Sequence, residues 1–301
     1  MSEQRAGDRT SLDPGSSGDT AISRPGQDVI IFGFGRSGTT WIAQVLARTG
    51  MEMVFEPLQP RHVPEIGECK SPYQDLSLFW YLERDDEFEH EDIVRRAITG
   101  RLRNDWTIRS ADPDPPRRKV VKVIRANLMA DWLLTRLPLN PLFVVRNPLA
   151  VVASAVRAGW YNNRDGLRFP PNLPLLCGPL EEFRDLIASA LDPVEILATT
   201  WCINHYIPKK VGLFQRVHCV NYDRFVLDPL KSFQDLARSL HFDLNADAID
   251  QISRRSFTTA GESLKKGYAP NTAWKKFLSR EDVKRIQKIV ERFDLSEFIS
   301  G

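Results

Sequence analysis

Twelve residues near the amino terminus, Ile30–Trp41 or IIFGFGRSGTTW, constrain this chain more than any other stretch. A short apolar run of the kind that forms a buried parallel strand leads straight into glycines and then into a helical pattern. "GFGRSG" satisfies the G-x-G-x-x-G pattern of a dinucleotide-binding turn. "GFGRSGTT" satisfies the phosphate-loop pattern too, except that Thr39 occupies the lysine position.

The rest of the chain repeats strand and helix. "TTWIAQVLARTG" reads as a helix with apolar residues every three or four positions and Gly50 as its stop. "MEMVFE", "KVVKVIRA", "PLFVVRN" and "VHCVNY" read as four further strands. In "NPLAVVASAVRAGW", Asn147 can cap a helix and Pro148 fills its favoured first position. "SREDVKRIQKIVERF" reads as an amphipathic helix with a Ser279–Asp282 cap. This alternation predicts a single α/β domain over residues 28–301, with a central, mainly parallel sheet flanked by helices and a P-loop NTPase-like topology. Two stretches, about 58–118 and 159–195, are richer in proline, charge and aromatics. They are expected to form insertions over the carboxyl edge of the sheet, where ligands of such folds bind. Residues 1–27 hold only five apolar residues and are expected to be a disordered tail.

Composition narrows the function classes. At 301 residues and 42% hydrophobic content the chain can bury a sizeable core. A net charge of +2 argues against a general nucleic-acid binder, so any anion site must be a local cluster of Arg and Lys. The four cysteines show no C-x-x-C spacing, which points to reduced thiols and neither a metal site nor disulfides. No apolar run reaches the roughly 18–20 residues of a membrane span, and no signal-peptide layout opens the chain. A cytoplasmic protein without a transmembrane segment is expected.

Several ligands fit the glycine-rich turn. A dinucleotide site needs an acidic residue about 20 positions on, and Glu56 stands near there. A nucleoside-triphosphate site needs the missing lysine and an acidic magnesium ligand, yet none of the expected strands ends in Asp. A third reading keeps the phosphate loop and moves its cation. Backbone N–H groups from Gly35 to Thr40 cradle the oxyanion, the Thr39 and Thr40 hydroxyls add donors, and Arg36 supplies positive charge from within the loop. A plain turn without ligand also satisfies the pattern. Further along, "FVVRNPLAVVASAV" puts Arg146 at a strand end and Ser154 two helical turns on, suited to gripping a second phosphate. "SLKKGYAPNTAWKKF" adds a glycine-bearing basic loop.

Taken in order, these stretches resemble the signature of the sulfotransferases that use 3′-phosphoadenosine-5′-phosphosulfate (PAPS). "GRSGTTW" is similar to their 5′-phosphosulfate loop, "RNPLAVVAS" to their 3′-phosphate motif, "NYDRFVLDP" to their tyrosine-acid stretch, and "KKGYAPNTAWKKF" to the segment that closes over the nucleotide. The resemblance implies that Arg36, Ser37, Gly38, Thr39 and Thr40 hold the 5′-phosphosulfate. It implies Arg146 and Ser154 at the 3′-phosphate, aided by Lys265, Lys266 and Gly267, with Tyr222 near the nucleotide. Two departures stand out. Arg36 replaces the loop lysine of the soluble small-molecule enzymes, and Asn127 falls where they place a histidine base. "VFEPL", "VVKVIR" and "NTAWKKFL" are closer to the carbohydrate (Golgi-type) branch, which turns attention to Glu56 as general base and Arg36 as stabiliser of the leaving phosphate.

The expected reaction is therefore sulfuryl transfer from PAPS to an acceptor hydroxyl, on a carbohydrate or glycoconjugate, without a metal. An ATP-dependent P-loop kinase and a catalytically silent binder of anionic polymers are the alternatives. Lys122 and Arg125, near the carboxyl end of a strand, and His62 are candidate acceptor contacts. Arg117, Arg118 and Lys119 fit an acidic acceptor or an ordinary charged loop equally well. Trp41 and Trp201 read as core residues, whereas Trp274 lies in the nucleotide-closing stretch.

Overall fold

The computed structural model describes residues 26–69, 80–108, 118–160, 176, 178–254, 256–258 and 272–299. The expected tail lies outside them, apart from Gly26 and Gln27. Five strands pair in one parallel sheet: β1 (Val29–Gly33), β2 (Glu52–Phe55), β3 (Lys119–Lys122), β4 (Asn140–Val145) and β5 (His218–Asn221). Their order is β2-β3-β1-β4-β5. The helices are α1 (Thr39–Arg48), α2 (Pro64–Glu68), α3 (Glu91–Ile98), α4 (Ala130–Arg136), α5 (Pro148–Arg157), α6 (Arg184–Ser189), α7 (Pro193–Lys210), α8 (Tyr222–Phe225), α9 (Pro229–Leu240), α10 (Ala246–Ser253) and α11 (Arg280–Arg292).

The continuous apolar character of the strands follows from burial on both faces. Ile30 and Phe32 of β1, with Phe143 and Val145 of β4, enter one core with α3, α5, α7 and α11. Val29 and Ile31, with Leu142 and Val144, enter a second core with α1, α9 and α10. Alternation along each strand thus fixes which helices cover which face. The caps read from sequence form: Asn147 Oδ1 accepts from Leu149 N at 2.9 Å, and Ser279 Oγ accepts from Asp282 N at 3.0 Å. Each such cap stabilises its helix by about 1 kcal/mol.

Strands β2 and β3 lie on one side of β1, and β4 and β5 on the other. The chain reverses direction across the sheet at the β1/β4 gap, which opens a crevice at the carboxyl ends of those two strands. β3 separates β1 from β2, so Glu56 is not on the strand beside the phosphate loop. One expectation is corrected: the expected fifth strand stops at Asn221, whose side chain caps α8 by accepting from Asp223 N and Arg224 N. That local hydrogen bonding turns the backbone helical at Tyr222.

Among the core residues His205, on α7, is fully buried. Its ring stacks on Trp201 at 3.9 Å and meets Phe143 edge-on, while Nδ1 lies 2.7 Å from the Trp201 carbonyl oxygen and Nε2 has no partner. Burial lowers its pKa from 6.5 to about 4. The unfolded chain therefore takes up a proton between pH 6.5 and 4 that the folded chain refuses, so stability drops as pH falls through that window. At ~1.4 kcal/mol per pH unit the loss is about 3 kcal/mol. Urea unfolding across this range should reveal it, and His205→Phe should flatten that part of the profile.

Candidate active site

The loop after β1 is shaped by unusual backbone geometry. Arg36 and Gly38 have φ of 70° and 89°, and Gly38 supplies the N-terminal cap position of α1 without a side chain. A Cβ on Gly38 would lie 2.1 Å from the Tyr222 ring, and one on Gly35 would lie 2.0 Å from Trp160. Two aromatic rings therefore close on the loop, and only glycine leaves them room. Beneath it Trp41 packs edge-on to Tyr222, Phe225 and Phe233 and donates to the Ile252 carbonyl at 3.3 Å, as expected of a core residue. Ser37, Thr39 and Thr40 are buried, and the Ser37 hydroxyl has no hydrogen-bond partner among the described residues.

The loop is bound to the end of β4. Arg146 donates from Nη1 to the Arg36 carbonyl at 2.8 Å and stacks over the Tyr222 ring at 4.6 Å, and its buried Nε has no partner among the described residues. Arg36 returns the contact: its Nε donates to Ser154 Oγ at 3.0 Å, and Nη1 donates to the Thr258 carbonyl at 3.1 Å. Arg36, Arg146, Ser154 and Tyr222, separated widely in sequence, thus meet at the β1/β4 crevice. Burial, then the charges of Arg146 and Arg157, lower the Arg36 pKa. A cluster of cations that repel one another is one that an anion would relieve.

Sequence reasoning missed two supports of this arrangement. Asp223 Oδ2 accepts from the backbone N–H of Asn147 at 2.6 Å, while Asn147 Nδ2 donates to the Ile299 carbonyl at 2.8 Å. The turn carrying Arg146 is thereby fixed from two sides. Burial raises the Asp223 pKa, with Arg146 opposing that shift. Asn127 Oδ1 accepts from Gly33 N at 3.1 Å, and its Nδ2 donates to Asn204 on α7. Asn127 thus holds the start of the glycine loop. Neither residue stands out locally, and each acquires meaning only once its distant partner is known.

Glu56 forms a separate cluster at the ends of β2 and β3. It is 3% exposed and has a left-handed backbone, φ 44°, ahead of Pro57. Lys122 Nζ donates to Oε1; Oε2 accepts from Arg125 Nη1 and from Ile124 N, both at 3.3 Å. Lys122 also lies over the Phe55 ring, and burial lowers the pKa of both cations. His62 is exposed and stacks on Trp106 at 3.8 Å. Arg118 donates to backbone carbonyls of Gln27, Leu240 and His241, which is a structural role. Trp201 is fully buried. Trp274 lies in a short helix, Ala273–Lys276, packed against α5. Arg117, Lys265, Lys266 and Gly267 lie outside the described residues. Among the described residues no group of three or more His, Cys, Asp or Glu could hold a metal ion, and no helix is long and apolar enough to cross a membrane.

The fold is that of an α/β protein with a P-loop NTPase-like topology. The "Sulfotransferase domain" family model matches residues 26–293, and the chain belongs to that family. Among solved structures it is similar to the sulfotransferase domain from the curacin biosynthetic pathway (14% identity, covering 90% of this chain and 98% of that one, TM-score 0.47). It is also similar to a mouse sulfotransferase complexed with PAP (14%, 91% and 86%, 0.48) and to a sulfotransferase from Mycobacterium avium (14%, 90% and 76%, 0.43). No curated protein matches the chain.

Gly38→Ala tests the packing of the loop. A side chain in a left-handed conformation costs roughly 1–2 kcal/mol, and the overlap with Tyr222 adds about 1–3 kcal/mol. Urea denaturation should register a loss within that combined range, whereas Gly50→Ala, with open space around its Cβ, should incur only the conformational cost.

Proposed function

We propose that the protein transfers the sulfuryl group of PAPS to a hydroxyl of a carbohydrate or glycoconjugate. The observation that carries this reading is the pairing of two anion-binding segments across the β1/β4 crevice through Arg36, Arg146 and Ser154. The residues fit a nucleotide with separated 5′ and 3′ anions: each segment contains a buried polar group without a partner among the described residues, Ser37 Oγ in one and Arg146 Nε in the other. Bound there, PAPS supplies an activated sulfuryl group on its 5′-phosphate.

In this reading Arg36, the N–H groups from Gly35 to Thr40 and the hydroxyls of Ser37, Thr39 and Thr40 bind the 5′ end. Arg146 and Ser154 bind the 3′-phosphate, with Tyr222 packed beside them; Lys265, Lys266 and Gly267 are proposed to complete that site. Arg36 would act chiefly in the transition state, where charge builds on the leaving phosphate oxygen. Glu56 is proposed as the base that accepts the acceptor's proton. Its strained backbone in a buried, charged setting is the sort of outlier found at active sites. The stretches 58–118 and 159–195 are proposed to bound the acceptor site. Similarity of "VFEPL" to the carbohydrate branch favours a sugar acceptor.

Thermal shift with adenosine 3′,5′-bisphosphate (PAP), ATP–magnesium and NAD tests the nucleotide. Stabilisation by PAP alone is expected; a response to NAD or ATP instead rejects the reading. Arg146→Ala should weaken PAP by roughly 1.5–3 kcal/mol, the worth of a hydrogen bond to a charged group, and should weaken adenosine 5′-phosphosulfate, which lacks the 3′-phosphate, clearly less, through the Arg36 carbonyl that Arg146 also holds. Equal weakening of both would assign Arg146 to the fold. For Glu56→Gln, PAP affinity should hold while kcat falls roughly 10²–10⁴-fold, the usual effect of removing a general base. Near-normal kcat in a folded variant would exclude Glu56 as the base.

A further inference from the structure

The Glu56 cluster does not explain itself as a catalytic base at rest. Both carboxylate oxygens are engaged, Oε1 by Lys122 and Oε2 by Arg125 and the Ile124 N–H. Oε2 already accepts from two donors, so that oxygen cannot receive a proton until one of them withdraws. Lys122 is the fixed member, being 4% exposed and lying over the Phe55 ring. Arg125 is the weaker one: its single hydrogen bond to the carboxylate is long, and its buried Nε has no partner among the described residues.

Charge count gives the same result. One carboxylate serves two cations here, and Arg61 stands close enough to oppose the charge of Arg125. A buried guanidinium with a shared counter-charge and an idle N–H is under-compensated, and a ligand anion would supply what it lacks.

We infer that the acceptor carries an anionic group, a carboxylate or a sulfate or phosphate ester, that draws Arg125 off Glu56 and so frees Oε2 to act as base. This rests on the sulfotransferase reading above and deepens it. With Arg125 turned to the acceptor's anion, the acceptor hydroxyl passes its proton to Glu56 Oε2. Its oxygen forms the bond to sulfur as the bond between sulfur and the 5′-phosphate oxygen breaks, with the electron pair leaving on that phosphate oxygen. A neutral acceptor leaves Oε2 clamped. Arg125 would then select for charge through turnover as well as binding, since interactions made on the way to the transition state raise kcat.

The test uses 4-nitrophenyl β-D-glucuronide and its methyl ester, which present the same hydroxyls and differ in one negative charge. With the full chain and PAPS, mass detection of sulfated product should favour the acid over the ester by about 10–100-fold in kcat/KM, the span of one hydrogen bond to a charged group. In the presence of PAP the acid, and not the ester, should raise the melting temperature. Arg125→Ala and Arg125→Lys keep PAP binding by thermal shift. The alanine variant should bring the acid-to-ester ratio to within about threefold, and the lysine variant should retain part of it. A merely structural role for Arg125 would depress both acceptors together and leave the ratio intact. That result overturns the inference, as do equal use of acid and ester by the wild type and failure to use either while PAP binds. Absence of PAP binding to the wild type would instead bring down the underlying reading.

Discussion

The contact on which this site depends is the hydrogen bond from Arg146 to the Arg36 carbonyl, reinforced by Arg36 on Ser154. It joins the ends of β1 and β4, the two strands between which the sheet changes direction. Backbone parallelism brings the strand ends within reach, but it does not set the shape of a glycine-rich loop. A guanidinium donating to a loop carbonyl does, because it fixes one peptide plane and so the neighbouring N–H groups that would face an anion. Asp223 on the Asn147 N–H and Asn127 on the Gly33 N–H hold the two ends of that connection in place.

Charge is distributed to match. Arg36 is repelled by Arg146 and Arg157, whereas Lys122 and Arg125 gather round Glu56. The first group carries positive charge without a carboxylate among those neighbours, whereas the second is partly balanced by Glu56. Glu56 itself follows β2 and is held off β1 by β3, whose end carries Lys122.

Much of this was legible in the chain itself. Apolar runs and helical periodicity located the strands and the main helices, and Asn147, Pro148, Ser279 and Asp282 marked helix starts where caps form. These are local matters: a cap reaches two or three residues, and a strand's burial is written in its own side chains. Trp41 and Trp201 were recognisable as core for the same reason. Asn127 was legible only as a missing histidine, because its partners, Gly33 and Asn204, lie 94 and 77 positions away.

The sequence by itself therefore determined the fold class and the glycine-rich turn between β1 and α1, since glycine spacing and a helix start are local. The tertiary structure alone decided the strand order. That order put β3 between Glu56 and the loop, and gave the carboxylate to Lys122 and Arg125 in place of Arg36. It also chose the ring that closes on Gly38, Tyr222, which arrives from the far end of the sheet. Which strands become neighbours depends on how crossover helices pack their apolar faces, a collective outcome of the whole core.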